Sequence, residues 1–215
     1  MPRLYAGRTA TERTLTRRRQ FLDAGLQLLG TIGFANTTVR GVCDEAGLST
    51  RFFYDAFTGL DDLALAVFDE IVDDVFARVA TAVTDAEHRD ERAHGAVAAM
   101  VAALTDDPRR GRVVMTGGFA SDPLARRRTT TMARLADAIE LIGRNEYRVT
   151  EADIPLARVT ATLLAGGVTE LMVAWIDGRL EIDRETLVRD CARLAVRIGD
   201  AATELAREDR GTCSA

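Results

Sequence analysis

Apolar side chains recur every three or four positions along nearly the whole chain, and no run alternates apolar with polar residues in the manner of a strand. That periodicity restricts the polypeptide to helices buried against helices. Prolines stand only at 2, 108, 123 and 155. Asp107-Pro108 and Asp122-Pro123 place proline in a first helical turn, where its missing N–H is no loss. The pattern predicts helices over residues 14–32, 38–46, 49–57, 59–89, 92–105, 107–118, 122–147, 155–177 and 183–207. The expected fold class is therefore all-α with about nine helices. Residues 13–60 are expected to form a small N-terminal domain, 61–207 a larger one, and 208–215 a frayed tail.

Charge is unevenly placed along this frame. Through Leu60 there are eight Arg and five acids, a net of +3; the remainder holds 20 Arg and 28 acids, a net of −8. Lysine is absent. A basic head on an acidic body suits a protein that neutralises phosphates with one face only, although Arg-rich termini are also commonly just solvated. No stretch of 18 charge-free apolar residues exists, so no membrane span is expected. The N-terminus lacks the apolar core of a secretory signal. Three cysteines far apart in sequence match no metal spacing and are read as reduced thiols, pointing to the cytoplasm.

The informative segment is residues 37–57, TTVRGVCDEAGLSTRFFYDAF. Two short helices meet at Ala46-Gly47-Leu48, where glycine takes the positive φ of a tight inter-helix corner. Leu48 plugs the corner, and Cys43, one turn before Gly47, must be small. Thr58 is expected to cap the following long helix with Asp61 in a capping-box arrangement. This is the logic of a helix-turn-helix, in which the second helix enters the DNA major groove.

Residues 21–63 resemble the DNA-binding domain of TetR-type (tetracycline-repressor-like) transcriptional regulators. The matching pieces are Gly33-Phe34, Thr37-Thr38-Val39, Ala46-Gly47-Leu48-Ser49, Phe53-Tyr54-x-x-Phe57 and Asp61-Asp62-Leu63. The resemblance implies a bacterial regulator that binds operator DNA as a homodimer and is released by a small-molecule effector, with repression as the expected sign. The pattern departs at Leu60, where the family has a phosphate-contacting lysine, and at Ala56, where an aromatic or His is usual. Asp55 adds a negative charge late in the recognition helix.

The expected DNA contacts follow from chemistry and resemblance together. Thr37 and Thr38 open a helix, and their hydroxyls and N–H groups suit a phosphate, or serve as plain caps. Arg40 reaches backbone or base, or is a solvated charge. Ser49, Thr50 and Arg51 begin the recognition helix, with Arg51 the candidate for bidentate contact to guanine. Phe52 meets a thymine methyl or is core. Tyr54 corresponds to the family's phosphate-bonding tyrosine. Arg17 and Arg18 grip the backbone or the adjacent minor groove.

In the body, Leu164, Val168, Leu171 and Trp175, with Leu187, Cys191, Leu194 and Ile198, form stripes at helical spacing. Leu164, Val168, Leu171, Leu187, Cys191, Leu194 and Ile198 are the expected dimer contacts, in a four-helix bundle across a two-fold axis; intramolecular core is the other reading. Met100, Met115, Phe119, Met132, Met172 and Trp175 are candidate linings of an effector pocket, with plain core as the alternative. His94 is either a polar handle in that pocket or a surface residue. No cofactor, metal site or catalytic residue is expected: none of the metal, nucleophile-elbow or P-loop signatures occurs, and only two histidines are present. The alternative function is a helical ligand-binding or scaffolding bundle with weak or lost DNA binding.

Overall fold

A computed structural model describes residues 10–116 and 121–212, and among these residues every regular element is helical. Nine α-helices follow one another: α1 (Ala10–Thr31), α2 (Val39–Ala46), α3 (Thr50–Ala56), α4 (Leu60–Asp85), α5 (Arg89–Thr105), α6 (Pro108–Gly111), α7 (Asp122–Tyr147), α8 (Ile154–Ile176) and α9 (Arg184–Thr212). A 3-10 turn (Phe34–Asn36) precedes α2, and another (Glu151–Asp153) precedes α8. The single helix predicted over 107–118 is instead the short α6 running into a π-helical segment, Arg112–Thr116. The predicted frayed tail is helical through Thr212, because α9 continues past Arg207.

Chain contacts divide the protein into two compact units, Met1–Val72 with Asp107–Arg127, and Asp73–Asp106 with Arg128–Ala215. The sequence placed 107–127 in the second domain; by packing it belongs with the first. The reason is a close approach of α6 to α1. A Cβ on Gly30 would overlap the Cβ of Arg109 and lie 2.7 Å from its Cα, so only glycine lets the two backbones meet there. Arg109 then donates from Nη1 to Gln27 Oε1 on α1 (2.7 Å) and is forked onto Asp107, with Nη2 to Oδ2 at 2.6 Å. Asp107 is also the N-cap of α6, accepting from the Arg109 N–H. The guanidinium holds the Asp107 carboxyl below its ordinary range.

The first unit's core is aromatic. Phe21 of α1 meets Phe53 edge-on at 5.4 Å and Phe57 at 6.4 Å, and all three rings are buried. Leu63, Val67 and Phe68 bury one face of α4. Each such side chain contributes about 1.5–3 kcal/mol by leaving water. The cap of α4 differs by one residue from expectation: the Thr58 N–H and hydroxyl both reach Asp62 Oδ2 (2.8 and 3.2 Å), not Asp61.

In the second unit α9 packs along α5 and α8. Val101, Leu104, Ala161, Ala165, Met172, Leu187, Val188 and Cys191 are buried there. Arg92 donates to the carbonyls of Val83 (3.1 Å) and Ala86 (2.8 Å), carbonyls left over where α4 stops. This explains why α4 ends at Asp85 rather than near Arg89, as the sequence predicts. Tyr147 closes the far end of α7 by donating to Val196 O (3.1 Å) against Gly199, and burial pushes its phenol pKa up. Together α8 and the turn before it are long and apolar enough to cross a membrane, although Arg158 and Glu170 interrupt them.

Candidate nucleic-acid interface

The corner between α2 and α3 forms as its sequence demands. Gly47 sits at φ 65°, ψ 30°, in the left-handed region that glycine enters without strain. Leu48 N–H closes the turn on Cys43 O at 3.0 Å. Val42, Cys43 and Phe53 are buried beneath it. With α3 anchored by Phe53 on one side, the opposite side of its seven residues is left to solvent.

That open side carries the predicted base-reading residues. Ser49, Thr50, Arg51 and Tyr54 are all exposed. Ser49 occupies the N-cap position of α3 but makes no side-chain cap bond. Arg51 projects from the first turn of α3, the end from which side chains reach base edges. Tyr54 is 62% exposed, with its ring edge-on to Phe53 at 5.4 Å, so the phenol points away from the core on a fixed base.

Four other predicted contacts are already engaged within the chain. Thr37 is buried, and its hydroxyl donates to Gly33 O (2.8 Å), so that hydroxyl is not presented to a phosphate. Thr38 is the true N-cap of α2: its hydroxyl accepts from Gly41 N–H at 3.0 Å. Arg18 donates from Nη1 to Ala56 O (2.9 Å) and stacks over Phe57 at 4.3 Å, tying α1 to the end of α3. Arg17 lies 4.2 Å over the Phe52 ring and donates from Nε to Arg13 O. The cation–π pair half-covers Phe52, so this ring is neither core nor open surface. Arg40 is exposed and 3.9 Å from Asp44, a contact too open to hold it.

Position 60, Leu60, is partly buried at the first residue of α4, and Asp55 is exposed on α3. Sequence reasoning missed the role of Arg18. An Arg beside the first core residue of a helix reads as a surface charge, and its partner carbonyl is 38 residues away.

The residues proposed for the effector pocket do not gather in one place. Met115 is buried in the first unit, whereas Met100, Met132, Met172 and Trp175 belong to the second. Phe119 lies outside the described residues. Within the second unit, Thr169 sits between Met172's turn and Met132, its hydroxyl donating to Ala165 O (2.8 Å) and lying 3.3 Å from Met132 Sδ. The Trp175 N–H donates to Ile182 O at 2.8 Å. His94 is exposed and lines a cleft between α5 and α9. No group of three or more His, Cys, Asp or Glu among the described residues is arranged to hold a metal.

The predicted dimer stripe is partly covered by its own chain. Leu187 and Cys191 are buried within their own unit, and burial raises the Cys191 thiol pKa. Leu164, Val168, Leu171 and Ile198 are half-covered, and Leu194 is 60% exposed. The uncovered face of α8 carries Val159 (63% exposed), Leu163 (60%), Gly166, Gly167 and the exposed Glu170. At 100° per residue it lies roughly a third of a turn around from the predicted stripe.

Comparison with known proteins agrees with this geometry. Residues 21–67 match the family model for bacterial regulatory proteins, tetR family. The transcriptional activator FasR of Mycolicibacterium smegmatis is 24% identical over 185 residues, spanning 83% of this chain and 81% of that protein. Among solved structures, the fatty acid degradation regulator FadR of Bacillus halodurans superposes with a TM-score of 0.72 at 17% identity, covering 83% of this chain and 94% of that one. FadR of Bacillus subtilis, solved with stearoyl-CoA, gives 0.67 at 15% identity, covering 86% and 97%. Residues 21–67 thus carry a domain of the tetR family of bacterial regulatory proteins, and the chain shares its fold over most of its length with solved structures of such regulators.

Proposed function

We propose that the protein binds a specific operator as a homodimer and leaves it when a small apolar effector occupies the second unit. The observation that carries this reading is the exposed first turn of α3, with Arg51 and Tyr54 projecting from a buried aromatic base. Base contact comes from Ser49, Thr50 and Arg51. Phosphate contact comes from Tyr54, Arg40 and the N–H groups opening α2, with Thr38 as their cap. Arg17 and Arg18 brace α3 from α1 and act on DNA through its position.

The dimer forms through the uncovered face of α8 and through Leu194 and Leu205 of α9, both exposed. A two-fold pair presents two recognition helices to half-sites about one helical turn apart, 34–36 Å. The protein works in the cytoplasm, where its thiols stay reduced. The effector binds among the methionines of the second unit, and long acyl chains are the first class to try, because FadR of Bacillus subtilis was solved with stearoyl-CoA. Release requires that the effector bind the non-operator state more tightly than the operator state.

Gel retardation with the DNA upstream of the gene tests the reading. A discrete complex that survives excess competitor DNA at moderate salt, and dissolves on adding the effector, is expected. Retardation that ignores sequence and disappears with modest salt points instead to a bundle that has lost operator recognition.

A further inference from the structure

A cleft of about 310 Å³ runs between α5 and α9, wholly within the second unit. Its outer wall is a row of arginines on α9, Arg189, Arg193 and Arg197, at i, i+4 and i+8. The row is about 12 Å long at 1.5 Å per residue. From α5, Arg89 and His94 face it. Ala192 and Val196 provide a small apolar floor, and the acids on the lining are Asp90 and Asp200. Four arginines against two aspartates give the cleft a local charge of +2.

This concentration is not what the surroundings would supply. The second unit holds 15 Arg against 22 acids, a net of −7. Like charges at i, i+4 repel along a helix, and α9 carries that repulsion twice in succession. The acids present offset only part of it, pairing with Arg89, Arg189 and Arg197 but not Arg193. Asp200 is held by Arg89 at 2.8 Å and is 3.8 Å from Arg197; Arg189 turns to its neighbour Asp190. Among the described residues Arg193, in the middle of the row, is exposed and has no carboxylate partner.

The geometry points to a binding site for a compact polyanion bearing adjacent phosphates. Planar guanidinium groups one helical turn apart engage neighbouring phosphate oxygens with charge-assisted hydrogen bonds. Arg193 and Arg197 grip the phosphates, Arg89 closes the site from α5, and the Ala192–Val196 floor accepts whatever apolar group the phosphates carry. The site shares no residue with the proposed effector contacts or with the proposed DNA contacts.

Isothermal titration calorimetry of the full chain with inorganic tripolyphosphate, and in parallel with ATP, tests this. Saturable binding at one site per chain is expected, weakened on the order of tenfold or more in R193Q/R197Q and to a lesser degree in H94Q, and unchanged in R51Q. All of these side chains are exposed, and thermal melts of each variant verify the fold. Stronger binding of ATP than of tripolyphosphate identifies a nucleotide as the source; equal binding identifies the phosphates alone. Absence of saturable binding overturns the site. So does binding that R193Q/R197Q leaves intact, or that R51Q removes, since the polyanion would then be sitting elsewhere or on the DNA face.

Discussion

Arg51 and Arg18 are alike in sequence and opposite in use. Both are arginines in the basic head, but Arg18 donates to Ala56 O and covers Phe57, whereas Arg51 stands open on the first turn of α3. Replacing Arg51 with Gln therefore leaves packing untouched and removes a bidentate donor. The expected result is a loss of about 1–3 kcal/mol of operator discrimination, roughly five- to 150-fold in affinity, with an unchanged melting temperature. Fluorescence anisotropy on the operator and on a shuffled sequence, at one salt concentration, measures it. An equal loss on both sequences would show that Arg51 contacts phosphate rather than base. Thr37 teaches the same lesson in reverse: its type and position read as a phosphate ligand, yet its hydroxyl is turned inward to Gly33 O.

At the scale of elements, the attachment of α6 to α1 is the feature the sequence conceals. Gly30 lies inside α1, where glycine is costly, and the approach of Arg109 supplies its reason. The Asp107–Arg109–Gln27 link that follows has a pH signature. The Asp107 carboxyl is held low in the folded state by the hydrogen bond from Arg109, so its contribution is present above the unfolded carboxylate range and lost as pH falls through the lower folded value. The stability difference between wild type and Asp107→Asn, measured by urea denaturation, is therefore expected at neutral pH and to shrink below about pH 4. A difference that stays constant to pH 3 would remove the ion pair from the account. The link is about one-third exposed on its arginine side, so the neutral-pH difference should be small.

At the scale of the molecule, the uncovered face of α8 is the surface proposed for dimerisation. Val159 and Leu163 stand open beside Gly166 and Gly167, where a Cβ would meet nothing among the described residues. Small residues next to exposed branched ones suit a helix approached closely by another. Leu163→Glu leaves the single chain's packing intact, since the side chain is 60% exposed, and places a charge in the proposed interface. Analytical ultracentrifugation should show a dimer for wild type and a monomer for the variant, with operator binding lost alongside. A variant that remains dimeric would move the interface off this face.

The sequence alone determined that the chain is all helix and where its helix-turn-helix lies. Both are written in local chemistry: periodic apolar residues, proline positions, and one glycine between two short helices. Most helix ends were legible to within a few residues for the same reason, except where distant groups intervened, as Arg92 does at the end of α4. Tertiary structure decided which of several equivalent polar groups face outward, where α6 attaches, and which side of α8 and α9 is left bare. Those outcomes depend on partners dozens of residues away, and a helix with apolar residues on two sides, such as α8, gives no local sign of which side its own chain will cover.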